Sequence, residues 1–162
     1  MLDNVEVISI VKNSVSQINS SIPSLPKVLS RLRGAQLPNG DLIACGGLSG
    51  SAKIEVSSIA HKLDEYLHCK VGSNQWTNIG TMKRKKSWYS SVWVDDCLYT
   101  TGGSDSSLID IACLEEFSFN GGVKERKEMP MPLSSHTATT FGPNKMMVCG
   151  GMNRNVSKTF PK

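Results

Sequence analysis

Three short apolar runs in this chain end in a Gly-Gly pair. They are Leu42-Ile43-Ala44-Cys45-Gly46-Gly47, Leu98-Tyr99-Thr100-Thr101-Gly102-Gly103 and Met146-Met147-Val148-Cys149-Gly150-Gly151. The first glycines lie 56 and then 48 residues apart. A second marker sits upstream of each: Pro23-Ser24-Leu25-Pro26, Gly80-Thr81-Met82-Lys83 and Pro130-Met131-Pro132. Leu25, Met82 and Met131 precede their glycine pairs by 21, 20 and 19 positions, so the two markers stay in phase. A period of about fifty residues with a fixed internal phase is the signature of a repeat architecture.

Each unit reads as strands. Ser87 to Val94 is rich in aromatic and β-branched residues, Asp95-Asp96 breaks it, and Leu98 to Thr101 resumes it, which predicts a hairpin. Pro38-Asn39-Gly40-Asp41 and Gly142-Pro143-Asn144-Lys145 supply the corresponding turns in the first and third units. A polar loop and a third strand follow the glycines, near Tyr66–Val71 and Ala112–Phe119, and a fourth strand follows at Trp76–Ile79 and Val123–Glu128. The one stretch with a helical pattern is Val56–Tyr66, inside a first-unit loop longer by eight residues. Four antiparallel strands in about fifty residues is the period of a propeller blade. Glycine suits a strand leaving the crowded centre, because it accepts φ > 0 and close backbone approach.

The units resemble kelch repeats. That family shows apolar residues before Gly-Gly, then an aromatic and a Trp six or seven residues apart, then a Pro-apolar-Pro segment. Trp76 matches the Trp of the first unit, with Cys69 where a Tyr is usual; Phe119 matches the Tyr of the second, whose Trp is missing. Val5-Glu6-Val7-Ile8-Ser9 resembles the third strand of an earlier unit. The resemblance implies an all-β, incomplete kelch-type propeller. It divides into the tail of a preceding blade (1–27), two full repeats (28–82 and 83–129) and the opening half of another with a C-terminal tail (130–162). Gly46, Gly47, Gly102, Gly103, Gly150, Gly151, Trp76 and Phe119 would be its structural positions. Two repeats and two halves fall short of the 4–8 blades that close a ring. Self-association or further blades are therefore expected, because open terminal blades expose strand edges and apolar faces.

Composition excludes several alternatives. At 39% hydrophobic and 20% charged, the chain is not a disordered segment. The net charge of +4 is matched by one run, Lys83-Arg84-Lys85-Lys86, and the remainder is nearly balanced. No broad nucleic-acid-binding face is expected. No apolar run nears the roughly 18 residues of a membrane helix, and the start carries Asp3 and Glu6 rather than a secretory n-region. Five cysteines without a C-x-x-C pair read as reduced, buried thiols in a cytoplasmic protein.

No catalytic motif assembles. Gly46 to Lys53 lacks the Gly-Lys-Ser/Thr ending of a phosphate-binding loop. His61, His68 and His136 have no metal-ligand spacing, and His136 reads as a packing or hydrogen-bonding residue. Glu115-Glu116 reads as solvated, and the sequons at Asn19 and Asn155 carry no weight without a signal sequence. Cys45 and Cys149, just before their glycines, read as small side chains suited to a narrow centre. A copper radical oxidase would need two Tyr, two His and a thioether Cys, and no motif groups them. Catalytic, metal and cofactor sites are thus expected to be none.

The expected function is protein–protein interaction through loops on a repetitive scaffold. The candidate contact residues are Ser49, Ser51 and Lys53 after the first glycine pair, Asp105 and Ser106 after the second, and Arg84 and Lys85 on the basic connection. That connection also reads as a weak nuclear-entry signal, or as an ordinary solvated loop. The resemblance implies roles such as the substrate-binding part of a cullin-type ubiquitin ligase adaptor, or actin binding. The chain has no room for the BTB domain that the first role requires, so it is implied only for a longer product. The competing class is a kelch-fold enzyme, such as a sugar epimerase or an oxidase, whose site would need the missing blades.

Overall fold

The computed structural model describes residues 7–11, 14–18, 22–49 and 61–156, with the backbone alone at 7–18 and 61–62. Two hairpin strands come first, β1 (Val7–Val11) and β2 (Ser14–Ile18). Sheet one contains β3 (Arg33–Gln36) and β4 (Leu42–Cys45). A short pair follows, β5 (Leu48–Ser49) and β6 (His61–Lys62), before sheet one resumes with β7 (Glu65–Cys69) and β8 (Thr77–Thr81). Sheet two contains β9 (Ser90–Val94), β10 (Cys97–Thr101), β11 (Leu114–Ser118) and β12 (Gly122–Arg126). A last hairpin joins β13 (Ser134–Thr140) to β14 (Met146–Met152). Both sheets have four antiparallel strands in chain order. The protein is all-β. The expected helix is absent where it can be checked, because His61–Lys62 and Glu65–Cys69 are strands; residues 56–60 lie outside the described residues.

Local chemistry explains the hairpins. Ser90–Val94 alternates buried and half-buried positions, as a strand between two packed layers must. Asp95 and Asp96 are both left-handed, at φ 46° and 63°, which matches the right-handed twist of the strands they join. In sheet one, Asp41 ties both distant turns together. Its carboxylate accepts from the Val71 N–H at 2.8 Å and from the Asn39 amide at 3.0 Å, and lies 2.9 Å from His68 Nε2. The Val71 N–H bond is the largest cause holding the Asp41 carboxyl below its usual range.

The two sheets pack face to face. Ile43, Cys45 and Tyr66 of sheet one meet Leu98 and Phe117 of sheet two, with Met82 and Tyr89 from the connection. Tyr66 stacks on Phe117, with ring centroids 4.7 Å apart. The leading strands stack in order, β3 on β9 and β9 on β13. A second cluster, Leu25, Leu29, Ala44 and Leu67, backs the other face of sheet one.

Register corrects two repeat positions. Leu42 faces Cys69 across sheet one, and Leu98 faces Phe117 across sheet two. The counterpart of Cys69 is therefore Phe117, buried at the interface. Phe119 lies two residues on, in the turn, 48% exposed, with its ring against His68 and Phe117. The Met82 N–H donates to Asp64 O and the Met129 N–H to Ala112 O, so Met129 and not Met131 repeats Met82. Met131 is exposed. Trp76 is half-buried on the outer face of sheet one, where its Nε1 donates to Pro23 O at 2.9 Å.

Candidate functional site

A third repeat marker organises one end of the sheets. Ser30 exchanges backbone hydrogen bonds with Leu48, and Ser87 with Ser104; Ser134 pairs with Met152. Each serine thus faces the residue just past a glycine pair. The next residue, Arg31, Trp88 or Ser135, is left-handed at φ 57°, 55° and 56°. Such φ values are uncommon for residues with a Cβ, and bulky ones pay most for them. The second glycine makes room. A Cβ on Gly47, Gly103 or Gly151 would strike the carbonyl of Ser30, Ser87 or Ser134, at 2.9, 2.7 and 2.8 Å.

In the second and third triplets the last residue reaches back to the preceding unit. Tyr89 covers Gly46 and its hydroxyl donates to Cys45 O. His136 covers Gly102, and its Nε2 lies 2.7 Å from Thr101 Oγ1. His136 therefore packs and hydrogen-bonds, and burial lowers its pKa. Among the described residues nothing lies within 4 Å of a Cβ on Gly150.

The loops that leave the glycine pairs and the connections between sheets share this end, since Arg33 faces Cys45 and Glu65 faces Thr81. At its middle, the Trp88 indole lies between two guanidinium groups. Arg31 is 4.5 Å and Arg154 5.3 Å from the ring centroid. Arg154 is anchored on buried Asp110 by its main-chain N–H and its guanidinium, both at 2.6 Å. Those hydrogen bonds outweigh burial and hold the Asp110 carboxyl below its usual range. Asn155 closes the same knot through the Asp110 backbone. Arg31 makes no ion pair among the described residues.

The basic connection is not one uniform patch. Lys86 is fully buried; its Nζ lies 3.5 Å from Glu115 Oε2 and donates to Cys113 Sγ at 2.9 Å. The Arg84 main-chain N–H donates to Glu115 Oε1 at 3.1 Å. Glu115 is thus buried rather than solvated: it lies opposite Thr100 on the face that meets sheet one, where Lys86 supplies the countercharge. Glu116 is buried too, bound by Arg126 at 2.7 Å and by the Tyr99 hydroxyl at 2.8 Å. Arg84 and Lys85 are exposed, with loose partners in Glu125 and Asp64 at 3.3 and 3.9 Å.

The other expected contact residues scatter. Ser49 lies in β5 and Ser106 is exposed in its loop. Asp105 accepts from the Ser107 and Ile109 N–H groups, so its carboxylate shapes its own loop. Ser51 and Lys53 lie outside the described residues. All five cysteines are free; Cys45, Cys69 and Cys113 are buried, Cys97 is half-buried, and Cys149 is exposed. Cys45 packs against the next sheet, so its place is a sheet interface and not a narrow centre. Among the described residues no group of three or more His, Cys, Asp or Glu could hold a metal. No helix among them is long and apolar enough to cross a membrane.

The Arg31–Trp88–Arg154 arrangement was not anticipated from sequence. Its signal was present, however. A serine stands 17, 16 and 17 positions before the second glycine of each pair. No family model matches the chain, and no curated protein matches it either.

Proposed function

We propose that this chain is a non-enzymatic protein-interaction module. In this reading its four-stranded sheets are blades of a kelch-type propeller, and it binds at the glycine end, around Trp88. The observation that carries the reading is the indole held between Arg31 and Arg154, on a backbone fixed at an unfavourable φ. An amphipathic ring in a fixed place, flanked by cations, is the residue mixture that dominates binding at protein interfaces. Exposed Arg84 and Lys85 share that end, so the partner is a protein segment with acidic side chains.

The test compares the two ends of the sheets. Arg31→Glu with Trp88→Ala alters the glycine end; Asn144→Asp with Asn74→Asp alters the turn end. Thermal stability and partners captured from cell extract are measured for each. Loss of partners from the first variant alone, with stability kept, supports the reading. An unchanged partner list in the first variant overturns it.

A further inference from the structure

The chain holds two Asn-Gly steps, Asn39-Gly40 and Asn120-Gly121, each in a hairpin turn. An asparagine before glycine carries a latent reaction. The glycine main-chain nitrogen can attack the asparagine carboxamide, because no Cβ crowds the approach. The reaction depends on how firmly the carboxamide and the turn are held.

The two steps are held differently. In sheet one both ends of the Asn39 carboxamide are engaged with Asp41. Nδ2 donates to Asp41 Oδ2 at 3.0 Å, and Oδ1 accepts from the Asp41 N–H at 3.1 Å. Asp41 is fixed in turn by the Val71 N–H and by His68. The Asn39 carboxamide is thus turned toward Asp41 and kept there. In sheet two Asn120 and Gly121 are both exposed, and no hydrogen bond holds the Asn120 carboxamide among the described residues.

The surroundings of Gly121 favour attack. Its N–H donates to the Ser118 hydroxyl at 3.1 Å and to Ser118 O at 3.3 Å. Lys124 Nζ lies 3.2 Å from where a Gly121 Cβ would stand. A cation there favours the anionic form of the amide, which is the form that attacks. The hydroxyl offers the departing proton a path to solvent.

We propose that Asn120 is a site of self-modification through a succinimide. The Gly121 nitrogen bonds to Asn120 Cγ, and its proton passes to solvent. The Cγ–Nδ2 bond breaks, and Nδ2 takes up a proton and leaves as ammonia. Water then opens the ring at either carbonyl, giving aspartate or isoaspartate. One water is consumed and one ammonia released, and no oxidant or reductant enters. This chemistry is independent of what the chain binds.

The products bear on the joint between the sheets. Phe119, the residue before, sets its ring 5.0 Å from that of His68 in sheet one and 5.5 Å from that of Phe117. Isoaspartate runs the main chain through the side-chain carbon. It adds one atom to the turn between the paired residues Ser118 and Gly122. That lengthening moves Phe119 off His68. Plain aspartate adds only a charge, beside Lys124.

The whole protein is aged at neutral and mildly alkaline pH, and both Asn-Gly peptides are followed by mass spectrometry. The Asn120 peptide should gain the mass of an amide-to-acid change and should convert faster than the Asn39 peptide. It should do so as two products, one of which accepts a methyl group from an isoaspartyl carboxyl methyltransferase. Asn120→Gln, whose side chain is too long to close the succinimide ring, should lose that methyl acceptance. An Asn120 that converts no faster than Asn39, or an Asn120→Gln that accepts methyl as before, overturns the site. The isoaspartate form should also unfold at a lower temperature than Asn120→Asp, which carries the charge without the extra atom. Equal midpoints overturn the displacement of Phe119 and leave the modification itself standing.

Discussion

The two faces of sheet two are held by different chemistry on the same backbone plan. Toward sheet one the contact is mainly aromatic, with Phe117 against Tyr66 and the Tyr89 hydroxyl on Cys45 O, beside the buried Lys86–Glu115 pair. Toward the last hairpin it is polar. His136 meets Thr101, Ser90 Oγ accepts from the Ala138 N–H at 2.8 Å, and the Thr140 hydroxyl donates to Trp93 O at 3.0 Å. Tyr89 and His136 hold equivalent places, so the difference lies in the side chains and not in the fold. Apolar burial scales with area removed from water, whereas a typical neutral hydrogen bond contributes about 1 kcal/mol net. The first interface should therefore be the stronger.

Phe117→Ala should break the comparison most sharply. It empties the apolar interface and should cost about 3–5 kcal/mol, read from denaturant unfolding. A cost no greater than that of Thr140→Val, which removes one exposed hydroxyl at the polar interface, would reverse the ranking. Next comes Tyr89→Phe. It keeps the ring over Gly46 but strips the side-chain donor from Cys45 O, whose residue still pairs with Arg33 in the ladder, and should cost about 1 kcal/mol. A neutral result would show that the ring alone secures that joint.

The smallest effect is one of pH. Burial depresses the His136 pKa in the folded state below its ordinary 6.5. Its contribution is thus complete above the unfolded value and declines as pH falls through the folded one. The cysteine and tyrosines of the first interface are shifted upward, away from that range. Acidification from neutral pH should therefore loosen β13–β14 before the joint between the sheets. His136→Gln should flatten the decline; an equal decline in that variant would assign it to other groups.

Much of the fold was legible because glycine pairs and strand alternation report backbone geometry directly. Both sheets fall where alternation and turn chemistry predict them. The errors came from reading residue type where register decides. Phe119 is an aromatic at the expected spacing, but the ladder places Phe117 in the core. Met131 sits between prolines, yet backbone bonding singles out Met129. Glu115 looked solvated because its countercharge, Lys86, lies 29 residues away in a run that reads as surface. The Trp88 arrangement draws on Arg31, Trp88 and Arg154, which share no type and no motif. Only the serines beside two of them repeat, and a serine is too common to stand out without the structure.

The left-handed residues after Ser30, Ser87 and Ser134 have a consequence for how such a chain can diversify. The bend is set by the glycine that makes room beneath it, so the residue at the bend carries none of the folding information. Arginine, tryptophan and serine occupy it in turn. Exchange of Arg31 or Ser135 for glycine should relieve a local penalty of about 1 kcal/mol. Trp88 is pinned between two cations and has less to gain. Each repeat thus offers one address that drift can rewrite freely, beside neighbours that it cannot, and a lineage copying this unit would inherit the scaffold while varying what it displays.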